Sequence, residues 1–152
     1  MKLLMFFLTL FLSFPSYSFD VKGGWVIDVE RTIGFNDERS KISLLRRELV
    51  KCMADNMFLI YDGRKASLVL KEHYCSFGGK EGVVDEWEVV YDYKVIYEDG
   101  DVVIMLGGVG EEAGVEVLNI LSDDLMWIYC CGEGPECNEH YRIYYKKVWH
   151  GD

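Results

Sequence analysis

Hydrophobic and polar positions alternate with a period of two over residues 87–97 of this chain: Trp87, Val89, Tyr91, Tyr93, Val95 and Tyr97 share one face, while Glu88, Val90, Asp92, Lys94 and Ile96 share the other. A strand with one side buried has this pattern. Shorter runs predict strands over residues 25–29, 57–61, 64–70, 102–106, 115–121, 125–131 and about 141–148. Asp62-Gly63, Glu98-Asp99-Gly100 and Ser122-Asp123-Asp124 supply turns, the first suited to a type I′ hairpin. Helical spacing occurs once, at Ile42, Leu45, Leu49 and Met53, with Asn36 or Asp37 as cap and Glu38 in the first turn. The rest of that helix carries Arg39, Lys41, Arg46, Arg47 and Lys51. A basic amphipathic helix can lie on a membrane, but this apolar stripe is narrow and has no Trp or Phe anchor, so packing on a sheet is expected. Eight strands joined mostly by short turns predict an all-β fold: an eight-stranded antiparallel up-and-down barrel with one helix after the first strand.

The N-terminus changes the setting. Lys2 precedes an apolar run from Leu3 to Leu12 broken only by Thr9, and Pro15-Ser16-Tyr17-Ser18 offers small residues around a cut after Ser18. Residues 1–18 therefore read as a signal peptide, with an apolar stretch too short to span a bilayer. No cysteine follows it to carry a lipid, so the expected product is exported, periplasmic or secreted, without stable membrane insertion. Residues 19–152 would form a single domain. In an oxidising space the five cysteines are expected to form disulfides. Cys131 and Cys137 flank turn chemistry at residues 132–135 and are predicted to pair. Cys52, Cys75 and Cys130 remain, with a second pair open among them. Cys131, Cys137 and His140 could also be metal ligands, but their spacing matches no common zinc pattern, so a disulfide and no metal are expected.

Charge and candidate chemistry narrow the function. Net charge is −10, and residues 72–139 hold seventeen acidic residues against two bases, Lys80 and Lys94. Such a field repels nucleic acid and attracts a basic protein, although solubility alone would also account for it. Glu98, Asp99, Asp101, Glu111 and Glu112 are the candidate partner-binding carboxylates. Gly107-Gly108-Val109-Gly110 follows a strand as a phosphate loop would, but no helix follows and Glu111-Glu112 would repel phosphate. His73, His140 and His150 have no nucleophile motif beside them. No enzyme activity and no cofactor are expected. Tyr91, Tyr93, Tyr97 and Trp87 are expected to line the barrel interior, either as core or as the wall of a ligand site.

Gly23-Gly24-Trp25, opening the first strand, resembles the start of lipocalin and fatty-acid-binding barrels. With Asp28, Thr32, a helix and a seven-strand meander, the layout over residues 23–148 is similar to the small exported lipocalin-like, calycin-type proteins of bacteria. The resemblance implies that Trp25 closes one barrel end beneath a base from the last strands, Arg142 by position or else Lys146. It gives Trp25, Asp28 and Arg142 structural roles. Lipocalins place their helix near the end of the chain, not after the first strand as here. The implied function is non-catalytic binding, and two kinds of partner fit. One is a small apolar ligand inside the barrel. The other is a basic protein, the chain then acting as an immunity protein or inhibitor of a secreted toxin or cell-wall hydrolase.

Overall fold

The predicted strands pair largely in the order in which they occur. The structure is a computed structural model and describes residues 19–40, 42–98, 101–107, 114–129 and 141–151. Its elements are β1 (Gly23–Ile27), α1 (Val29–Ser40), α2 (Leu44–Ala54), β2 (Met57–Tyr61), β3 (Lys65–Leu70), β4 (His73–Phe77) and β5 (Lys80–Val84). The remainder are β6 (Trp87–Glu98), β7 (Asp101–Gly107), β8 (Gly114–Ser122), β9 (Leu125–Tyr129) and β10 (Arg142–Trp149). Eight strands close a barrel in the order β1-β10-β9-β8-β7-β6-β3-β2, every neighbouring pair antiparallel. The expected eight-stranded meander is therefore present. The hairpin β4–β5 forms a separate two-stranded sheet, inserted between β3 and β6 without disturbing their pairing.

Inward positions supply a buried core, against which Leu59, Tyr93, Val95, Ile120 and Ile143 pack partly buried. Trp25, Tyr61, Ile104, Leu118 and Met126 are fully buried, and Ile27, Ala66, Val102 and Tyr145 join the same cluster. Closure depends on Gly23. Its φ of 126° lies in the region that side chains avoid, and a Cβ there would stand 2.0 Å from the carbonyl oxygen of Trp149 on β10. The glycine two residues before Trp25 is thus needed where the first and last strands meet.

Two helices follow β1, not one, and the expected cap was misplaced. Asp28 opens α1: its carboxylate accepts from the Arg31 N–H (3.2 Å) and its carbonyl from the Thr32 N–H (2.9 Å). Asn36 lies inside α1, and Asp37 pairs with Arg47 of α2, so neither caps a helix. Ser43 is the cap of α2, its side chain accepting from the Arg46 N–H (3.3 Å).

α1 takes the place of a missing strand. β1 ends at Ile27, opposite Tyr145, and leaves the adjoining edge of β10 without a strand partner. The Asp28 N–H donates to the Tyr144 carbonyl (2.8 Å), and the Tyr144 N–H donates to Thr32 Oγ1 (3.0 Å). Asn36 Oδ1 accepts from the Arg142 N–H (3.1 Å), while Asn36 Nδ2 donates to the Arg142 carbonyl (2.7 Å). The spacing permits this because four helical residues rise about 6 Å and two strand residues rise about 6.7 Å. Thr32 and Asn36, one turn apart, therefore meet alternate residues of β10. Both are almost wholly buried.

The β2–β3 turn also differs from expectation. The Asp62 N–H donates to the Lys65 carbonyl (3.1 Å), which centres the turn on Gly63-Arg64, one residue beyond Asp62-Gly63. Gly63 supplies the positive φ, 100°. Asp62 Oδ1 accepts from the N–H groups of Lys65 (2.7 Å) and Arg64 (2.9 Å). These bonds, with that from Lys65 the larger effect, hold its carboxyl below the ordinary 3.8.

Candidate functional site

Trp25 stands in the barrel wall with its indole N–H donated to the Val21 carbonyl (2.9 Å). The segment before β1 folds over it, and Phe19 and Val21 are both buried there. Lys147 is the base above the ring, its Nζ 4.8 Å from the Trp25 centroid and donating to the Asp20 carbonyl (2.9 Å). Neither Arg142 nor Lys146 fills that place. Lys147 faces Trp25 directly in the β1–β10 register, and Lys146, one residue away, points to the opposite side. Arg142 serves the outer wall, stacked between Trp127 (3.7 Å) and Phe35 of α1 (4.5 Å). Asp28 starts α1 and forms an ion pair with Arg31 (3.3 Å).

The odd-numbered face of β6 meets the core strands. Trp87, Val89 and Tyr91 stand opposite Leu70, Leu68 and Ala66 of β3, and Val95 stands opposite Ile104 of β7. Tyr93 packs edge-on against buried Tyr61 with centroids 5.1 Å apart, and burial pushes its phenol upward. Tyr91 and Tyr93 are half-buried, whereas Trp87 keeps 39% and Val89 36% of their surface in solvent. Trp87 and Val89 thus form an apolar rim at the start of β6.

On the opposite face of β6, Glu88, Asp92 and Lys94 are exposed. Glu72, Glu81, Asp85 and Glu86 add further exposed carboxylates on and beside the inserted hairpin. Asp92 pairs with Lys65 across the β3–β6 ladder (2.6 Å). Residues 98 and 101 face each other where β6 meets β7. Asp99, Glu111 and Glu112, and the side chains of Tyr97, Glu98 and Asp101, lie outside the described residues. So do Cys131 and Cys137, His140, and residues 1–18.

The open question among the remaining cysteines has an answer. Cys52, in the last turns of α2, is bonded to Cys75 of β4. His73 lies two residues before Cys75, and alternation along the strand puts both on the face toward α2. His73 Nε2 is 3.4 Å from Cys52 Sγ, and Nδ1 is 2.6 Å from the Lys71 carbonyl. A carbonyl can only accept, so Nδ1 carries a hydrogen and, in the neutral ring, Nε2 presents its lone pair to the sulfur. Cys75 is buried; Cys52 and His73 are half-buried. The hairpin is also tied to α2 by the Gly78 N–H, which donates to Glu48 Oε2 (2.8 Å). Gly78 and Gly79, with φ of 60° and 71°, form its turn. That Gly-Gly pair between two short strand-forming runs was the sequence signal for the hairpin.

No family model, curated protein or solved structure matches this chain.

Proposed function

We propose that this is a non-catalytic, lipocalin-like binding protein of the periplasm or another extracytoplasmic space, and that its outer surface captures a basic protein. The exposed acidic surface carries this reading: Glu81, Asp85, Glu86, Glu88 and Asp92 all stand in solvent in the most acidic part of the chain. Beneath it, Trp25, Tyr61, Ile104, Leu118 and Met126 belong to a buried core that stiffens the barrel. An immunity protein or an inhibitor of a cell-wall hydrolase has use for such a rigid acidic scaffold. The signal-like residues 1–18 and the Cys52–Cys75 disulfide support export to an oxidising space. Lys147 over Trp25 and the closed meander support the calycin-type kinship.

The apolar rim supports a second reading. Trp87 and Val89 sit on the interior-facing line of β6 yet remain partly exposed, which suits a small apolar ligand held at the barrel mouth with Tyr91 beneath it.

A pull-down from the host's envelope and secreted fractions, followed by binding kinetics, separates the two. The proposal expects a basic protein whose association slows as the Debye length falls from about 30 Å at 0.01 M salt to about 8 Å at 0.15 M. Neutralising Glu98, Asp99 and Asp101 together should slow association more than it speeds dissociation. A neutral small molecule as the sole specific partner, bound with affinity indifferent to salt and to these carboxylates, would overturn it.

A further inference from the structure

We propose that Cys52, His73 and Cys75 form a redox-gated metal site: closed as the disulfide, and open, once reduced, to a thiophilic cation of the zinc class. This goes beyond the binding role above and does not depend on it.

Three donors already converge. One sulfur from α2 and one sulfur and one ring nitrogen from β4 all lie within 4.8 Å of one another. A tetrahedral zinc, with Zn–S about 2.3 Å and Zn–N about 2.05 Å, holds sulfur and nitrogen about 3.6 Å apart. Cys52 Sγ and His73 Nε2 stand 3.4 Å apart before any metal arrives. The two sulfurs need only swing from bonding distance to about 3.8 Å, within reach of side-chain rotation. The Lys71 carbonyl on Nδ1 is the outer partner that metal-binding histidines usually have; it fixes the tautomer and aims Nε2 at the site. The Gly78 N–H bond to Glu48 is a second tie between the hairpin and α2 besides the disulfide. Buried Cys75 closes one side, and half-buried Cys52 and His73 leave the other accessible. A fourth position remains for water or a ligand.

The chemistry balances with an external dithiol as reductant. Two electrons and two protons pass from the dithiol to the Cys52–Cys75 bond, which breaks into two thiols while the dithiol closes to its own disulfide. Binding of the cation then releases the two thiol protons. The imidazole supplies its Nε2 lone pair and keeps its Nδ1 proton, donated to the Lys71 carbonyl.

The experiment titrates Zn2+ and Co2+ into full-length mature protein, oxidised and reduced, under anaerobic conditions, with native mass spectrometry and visible absorption as readouts. The reduced protein should bind one Zn2+ more than both its oxidised form and the Cys52→Ser/Cys75→Ser variant. Co2+ at the site should show the strong ligand-field and sulfur charge-transfer bands of a four-coordinate thiolate site. His73→Gln keeps the disulfide, so its oxidised form should melt with the parent, but its reduced form should bind Zn2+ at least about 10-fold more weakly. A reduced chain that unfolds and is restored by one equivalent of Zn2+ also supports the site. Equal binding by oxidised protein, by the double Ser variant or by His73→Gln would overturn it. So would a reduced chain, folded or not, that takes up no additional cation.

Discussion

Lys147 and Tyr93 owe their importance to the single face each occupies. Lys147→Met keeps the apolar stem but removes the ammonium from over Trp25 and from the Asp20 carbonyl. It should cost about 1 kcal/mol in a denaturant melt, while Lys146→Met, on the other side of β10, should stay within about 0.5 kcal/mol. Tyr93→Ala should cost about 3 kcal/mol, the low end for a large aromatic, because part of its ring is solvated. Asp92→Ala breaks only an exposed pair with Lys65 and should cost no more than about 0.5 kcal/mol. Equal costs at positions 92 and 93 would mean that the face assignment of β6 is wrong. Alternation revealed that face from sequence alone. The sequence led to Arg142 or Lys146 and not to Lys147, since the choice depends on the register of β1 against β10, which is set by pairing across the whole chain.

Among the elements, the eight barrel strands were legible from the alternation of β6 and, in the others, from short apolar runs mostly bounded by turn residues. α1 was not, for a physical reason. The side it turns to the barrel includes Thr32 and Asn36, which answer backbone groups of β10, so its buried stripe is partly polar and the usual apolar signature is missing. Asn36→Ala should cost about 2–3 kcal/mol by leaving the Arg142 amide and carbonyl buried without a partner. Hydrogen exchange at the Arg142 amide should accelerate in that variant; unchanged exchange would show that another group takes over. The β4–β5 hairpin announced itself only by Gly78-Gly79, and a lone two-stranded ribbon is marginal in water. Its bond to α2 spans 23 residues, and replacing Cys52 and Cys75 by Ala should cost about 3 kcal/mol of loop-closure entropy. In the β2–β3 turn, the depressed Asp62 carboxyl adds stability that is complete above the ordinary 3.8 and is lost as pH falls through its lower folded value. Asp62→Ala should abolish that acid-side slope, and an NMR titration of the Asp62 carboxyl should place its midpoint below 3.8.

At the scale of the molecule, a buried core and an uneven charge distribution assign separate tasks to inside and outside. The interior fixes the shape. The exposed carboxylates around β5 and β6 set the field that a partner meets at a distance. The sequence disclosed that field because charge is additive along a chain. It could not disclose which inward residues would be fully buried, since that depends on how the strands carrying Trp25, Tyr61 and Met126 come together. The cysteine partners were equally hidden: Cys52 lies on a helix and Cys75 on a hairpin, and only the docking of one on the other brings them together.

The seam between β10 and the first two elements governs the order of assembly. Thr32 and Asn36 are separated by 112 and 106 residues from the strand groups they bond, and Gly24 of β1 pairs with Trp149. β1 can pair with β2 early, but its other edge and the Thr32 and Asn36 bonds of α1 form only when the last strand is available. The loop to be closed is nearly the whole domain, so this step is entropically late. A chain truncated before Arg142 should accordingly retain hairpins but no cooperative melt, and in the intact chain the Arg142 and Tyr144 amides should be the last to gain protection during refolding.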